Sequence, residues 1–198
     1  MKLQLNKMFL FSLLLLLAVV IASCSPKPSP VDLVKAYQNA YNSHDLERLV
    51  SLFAEDATFE VVGQFVFKGK EDIRRVAEHD FALNIHISIG GPSIKGDTIF
   101  CGLIETNDWL KTAGIVEARY TGWFVFEGGL IKLIEGKATP ETDTAFSQVL
   151  KPLMEWASQE RPEQLAQMMP EGKFVYNAEN AKKSLALLRQ WQEATKSE

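Results

Sequence analysis

The sequence predicts an α+β domain carrying a helical extension, and three observations predict it. Helical patterns come first, between residues 31 and 78. A run of strand-like segments separated by turns follows, between 81 and 137. Amphipathic helices then fill the remainder, residues 139–198. Composition agrees: 46% of the 198 residues are hydrophobic and 23% are charged, which excludes a polar, low-complexity or collagen-like chain. A net charge of -4 excludes an obvious nucleic-acid binder.

The first 23 residues stand apart. Lys2 and Lys7 precede an apolar stretch, Phe9 to Ile21, broken only by Ser12. The stretch is too short for a spanning helix, which needs roughly 20 residues, and suits the h-region of a signal peptide. It runs into Ile21-Ala22-Ser23-Cys24, which resembles the lipobox of bacterial lipoproteins. That resemblance implies cleavage before Cys24 and lipidation of its thiol and new amine, palmitate included. The body is then extracytoplasmic and held to a bacterial membrane. Ser25 follows the cysteine, which on lipoprotein sorting patterns implies the outer membrane if the host has one. Removing the two leader lysines from 21 basic residues leaves 19 against 25 acids, a net charge of -6. Three prolines between Ser25 and Pro30 make residues 24–30 an extended tether reaching about 20 Å.

The domain itself spans residues 31–138. Val31 to Asn42 places Val34, Tyr37 and Tyr41 at i, i+3 and i+7, the stripe of a helix. Asn42 to Asp45 breaks it with capping side chains, and a second helix runs from Leu46 to Phe53. Ala57 to Val62 reads as a strand, turned at Gly63 and returning through Gln64 to Phe67. A third helix, Glu71 to Glu78, carries acids in its first turn, where the helix dipole favours them. Phe81, Leu83, Ile85, Ile87 and Ile89 alternate with smaller or polar residues, which predicts a half-buried strand. Two longer strands are expected at Thr98–Thr106 and Ile115–Phe126, and Glu127-Gly-Gly129 turns the chain into a last one, Leu130–Lys137. Beyond it, Thr139-Pro140 caps a helix through Trp156, Arg161-Pro162 opens a short one, and Asn177 caps a last one bearing Leu185, Leu188 and Trp191. These apolar stripes require the extension, residues 139–198, to pack on the sheet domain.

Val34 to Glu60 (VKAYQNAYNSHDLERLVSLFAEDATFE) resembles the opening of the nuclear transport factor 2-like superfamily in its SnoaL-like branch. Phe67 to Arg74 is similar to the start of that family's third helix, and Glu127 to Ile134 to its last hairpin. The resemblance implies a cone: a curved antiparallel sheet wrapped around three N-terminal helices, enclosing a mostly apolar pocket. The extension departs from the minimal family and is expected over the pocket mouth or on an oligomer face. That superfold hosts isomerases, cyclases, hydrolases, dehydratases and non-catalytic binders, so individual residues have to decide the chemistry.

Two catalytic sets are incomplete. In the ketosteroid isomerase pattern the catalytic tyrosine falls on Tyr37, but the base falls near Val61 and the second donor on Gly122. In the limonene epoxide hydrolase pattern one aspartate falls on Asp108, while its arginine falls on Thr106 and its second aspartate on Gly136. Asp108 and Tyr37 are thus the candidate catalytic residues, with a helix-capping role for Asn107-Asp108 and a core role for Tyr37 as the alternatives. No metal-ligand spacing, phosphate loop or nucleophile elbow is present, and no cofactor is expected. His44 and His79 flank acids, where solvation is the expected role, and Cys101 in its apolar run is expected to be a buried small hydrophobe.

On the strand after Gly114, residues Ala118, Tyr120, Gly122, Phe124 and Phe126 share one parity, which in this fold is the concave one. With Tyr37, Tyr41 and Phe59 they form a pocket lining rich in aromatic residues and poor in charge, suited to a lipophilic ligand with a polar end. The leading expectation is therefore a lipid-anchored protein that binds a small, mostly apolar molecule, touching the membrane through Cys24 and no nucleic acid. An isomerase, cyclase or hydrolase on such a molecule is a second expectation. An envelope interaction module using Trp123 or the extension is a third, with homodimerisation left open.

Overall fold

The computed structural model describes residues 28–196. The leader, its cleavage and Cys24 lie outside the described residues. No helix within them is long and apolar enough to cross a membrane.

Helix α1 (Pro30–Asn42) starts one residue earlier than the pattern indicated, because Ser29 accepts a hydrogen bond from the Asp32 N–H and Pro30 sits in the first turn. Helix α2 (Leu46–Ser51) is capped by Asp45 and is followed by β1 (Phe53–Val61) and β2 (Phe65–Lys68). Helix α3 (Gly69–Ala82) is four residues longer at its C-terminal end than expected. Phe81 and Leu83 therefore belong to a helix end rather than to a strand, and Asn84 reverses the chain in the left-handed region at φ 53°. Strand β3 (His86–Lys95) begins only after that turn, with Ile85 and Ile87 buried and His86 and Ser88 outward.

Strand β4 (Thr98–Thr106) falls where the alternation placed it. One helical turn, α4 (Asp108–Thr112), precedes β5 (Ala118–Glu127) and β6 (Leu130–Ala138). The strands form one curved, open sheet in the order β2-β1-β6-β5-β4-β3, an antiparallel meander from β3 to β6 with β6 parallel to β1. Gly122 pairs with Gly136 across the β5–β6 ladder, and a Cβ on Gly122 would lie 2.3 Å from the Glu135 carbonyl oxygen. That backbone leaves no room for a side-chain donor at this position.

Helices α1 to α3 lie in the concavity and bury Tyr37, Leu49, Ile73 and Ala77 against Ile99, Phe124 and Ile131 of the sheet. The extension folds as α5 (Pro140–Glu160), α6 (Pro162–Met168) and α7 (Ala178–Thr195), and it makes a second core. There Leu153, Ala157, Met168 and Leu188 pack with Leu83, Trp109, Leu110 and Ala118 of the cone domain. Polar ties fix the junction: Thr142 Oγ1 accepts from the Arg119 N–H at 2.8 Å, and Gln192 Nε2 donates to the Thr112 carbonyl at 2.6 Å. The apolar stripes of the extension thus bury themselves on the domain, as amphipathic helices must.

Candidate functional site

Between the two cores lies a cavity of about 490 Å³, a size suited to a small organic ligand. One wall comes from α1, α3 and the concave sheet face. The other comes from the extension, through residues such as Phe146, Leu153, Met154, Met168 and Phe174. The extension therefore walls one side of the cone's mouth without filling it, and Trp156 and Trp191 pack in the second core instead.

The sheet and α3 each aim one carboxyl inward, by simple periodicity. On β4, Ile99, Cys101, Leu103 and Glu105 alternate toward the concave face, and all but Ile99 line the cavity. On α3, Asp80 follows Ile73, Val76 and Ala77 at i+7, i+4 and i+3, so it shares their buried face. Burial and the neighbouring Asp80 push the Glu105 carboxyl up to about 7 from its ordinary 4.5, opposed by hydrogen bonds from Asn107 and Tyr120. The Asn107 amide is held in one orientation. Its Oδ1 accepts from the Leu110 N–H at 2.7 Å as the N-cap of α4, which leaves its Nδ2 to donate to Glu105 Oε1 at 2.7 Å.

Asp80 is differently supported. It accepts a short hydrogen bond from the Tyr41 hydroxyl, and His79 Nδ1 lies 2.9 Å from its other oxygen. The His79 ring is only 12% exposed and packs 5.0 Å from the ring of Tyr176, so the expectation of a solvated histidine is corrected. Phe65 and Phe67 of β2 and Phe174 of the extension complete an aromatic cluster around Tyr176. Asn180, buried in α7, holds that segment by donating to the Val175 carbonyl at 2.8 Å.

Of the aromatic lining read from the sequence, Tyr37, Tyr41, Phe59, Tyr120 and Phe124 do border the cavity. Phe126 does not; it stacks behind Phe124 in the first core, nearer the β5–β6 turn. Tyr37 contacts Tyr41, Phe53 and Phe124 edge-on or tilted. Asp108 sits outside the cavity, at the first position of α4, where it accepts from Asn84 Nδ2 at 2.5 Å. Tyr37 and Asp108 are therefore not brought together. Cys101 is buried in the wall, and desolvation pushes its thiol up to about 11, away from nucleophilic character. Among the described residues no group of three His, Cys, Asp or Glu side chains is placed to hold a metal ion.

Solved structures with the same fold include an NTF2-like protein of unknown function from Cytophaga hutchinsonii, at 14% identity and a TM-score of 0.50, covering 61% of this chain and 99% of that one. The epoxide hydrolase/cyclase-like enzyme SalBIII of salinomycin pyran-ring formation is similar at 19% identity and a TM-score of 0.51, covering 57% and 92%. An LEH-like epoxide hydrolase from M. tuberculosis is similar at 15% identity and a TM-score of 0.51, covering 64% and 95%. No curated protein matches the chain. Residues 34–134 match the SnoaL-like domain, just over half of the 198 residues, from the first tyrosine-bearing helix to the last strand of the cone; the chain belongs to the SnoaL-like family.

Proposed function

We propose that this protein is a lipid-anchored, extracytoplasmic binder of a small, mostly apolar molecule, which it holds between the cone and the helical extension. The observation that carries the reading is the cavity itself: about 490 Å³ walled by aromatic, aliphatic and methionine side chains, with a few polar groups gathered among them. The signal-peptide pattern ending at Cys24 supports the anchoring half. Thermal unfolding against a panel of lipophilic small molecules tests the binding half, since a ligand of the native state raises apparent stability. A concentration-dependent rise in Tm for one chemical class is the expected result. An unchanged Tm across the panel at saturating concentrations overturns the reading.

A second reading, acid–base catalysis of the isomerase, cyclase or hydrolase kind on the same molecule, is favoured by Glu105. A carboxyl pushed up to about 7 beside a tyrosine hydroxyl is poised to give and take a proton near neutrality. Asp108 has no part in it from outside the cavity. Turnover of a bound molecule that is lost in Glu105→Gln and kept in Asp108→Asn supports this reading; turnover unaffected by Glu105→Gln contradicts it.

A further inference from the structure

All four tyrosines of the chain, Tyr37, Tyr41, Tyr120 and Tyr176, border the one cavity, and so do Asp80 and Glu105. They are close enough to feel each other electrically. Burial raises all four phenols, the Asp80 charge raises each further, and Glu105 adds to the effect on Tyr37, Tyr41 and Tyr120. The cavity wall contains no lysine or arginine. The charge balance within the wall is unequal. Asp80 has the His79 ring as a partner that becomes cationic on protonation. Glu105 has only the Asn107 amide and the Tyr120 hydroxyl, both neutral, and no ion pair engages it among the described residues.

We propose that the polar end of the ligand is a protonated amine, seated among the tyrosine rings with its ammonium paired to the Glu105 carboxylate. This inference rests on the reading of the cavity as a ligand site and names the class of ligand. An ammonium supplies the positive charge that the wall lacks, and it is attracted to aromatic faces. A carboxylate or phosphate head would bring a like charge toward Asp80 and Glu105. The remaining wall, from Phe124 through the methionines of the extension, takes an apolar body.

The test is calorimetric titration of the full chain, at about pH 8, with three molecules that share one body: phenylbutylamine, phenylbutanol and phenylbutyrate. An alkyl amine is still protonated at that pH. The amine is expected to bind about tenfold or more tighter than the alcohol, and the carboxylate weakest. In Glu105→Gln, a near-isosteric change, amine affinity is expected to fall to that of the alcohol while alcohol affinity stays. Tyr120→Phe, which keeps the ring, is expected to keep most of the preference. Tight binding of the alcohol or carboxylate with the amine weakest overturns the amine inference and leaves the cavity reading intact. An amine preference undiminished in folded Glu105→Gln overturns the assignment to Glu105. Binding of none of the three overturns the cavity reading and the inference with it.

Discussion

The cone and the extension build one cavity with different materials. From the cone come Asp80, His79, Glu105, Asn107 and three of the four tyrosines, beside apolar residues such as Phe59, Ile87 and Phe124; from the extension come almost only apolar ones, Phe146, Leu153, Met154, Met168, Met169 and Phe174 among them, with Tyr176 and Ser184 as its polar members. The difference teaches a division of labour. On the proposed reading, strand and helix backbones fix the groups that would read a polar head, where placement matters most. The extension would cover the body of such a ligand with flexible side chains, three methionines among them, that adapt to shape. Head-group preference should therefore respond to changes in the cone, and size preference to changes in the extension.

The largest effects come from breaking either core. Phe124→Ala in the cone, at 2% exposure, is expected to cost about 3–5 kcal/mol, and Leu188→Ala in the extension, at 0%, about 2–5 kcal/mol. Because the second core contains Leu83, Trp109, Leu110 and Ala118 of the cone, both variants should shift one shared urea transition. Two separate transitions in Leu188→Ala would mean that the extension is an independent unit.

Glu105 gives the next effect, and its sign follows from linkage. Its folded value of about 7 lies above the ordinary 4.5, so the folded state binds the proton more tightly and loses stability as pH rises between those values. Glu105→Gln removes that loss. The variant should match the wild type near pH 4.5 and exceed it at pH 8 by at most about 3 kcal/mol, read from urea midpoints across that range. A gap that does not widen with pH contradicts the buried carboxyl.

Asn107→Ala loses the cap of α4 and the amide on Glu105 together, and should cost about 1–2 kcal/mol in the same measurement. The smallest effect belongs to Asp108→Asn. It trades one hydrogen bond to Asn84 outside the cavity and should stay within about 0.5 kcal/mol, with ligand binding unchanged. Loss of binding in that variant would return Asp108 to the site.

Much of the fold was legible because the residues repeat on the right periods: Val34, Tyr37 and Tyr41 on α1, and the alternation from Ala118 to Phe126 on β5. The helix that runs to Ala82 was cut short because Phe81, Leu83 and Ile85 also fit a period of two, and only the left-handed turn at Asn84 decides between them. The two inward carboxyls were readable by the same rule. Glu105 is in phase with Ile99, Cys101 and Leu103, and Asp80 with Ile73 and Val76 once α3 has its full length. Tyr176 was not legible, since its place beside His79 depends on how α7 and Asn180 dock a segment distant in sequence.

Native mass spectrometry of the full chain, released from cells in mild detergent and run with and without added phenylbutylamine, tests the central claim most directly. The account predicts a noncovalent complex with one small molecule per chain, carried from the cell or formed on addition, that disappears on denaturation. A bare chain under both native conditions would contradict it and move the function from the cavity to the surface.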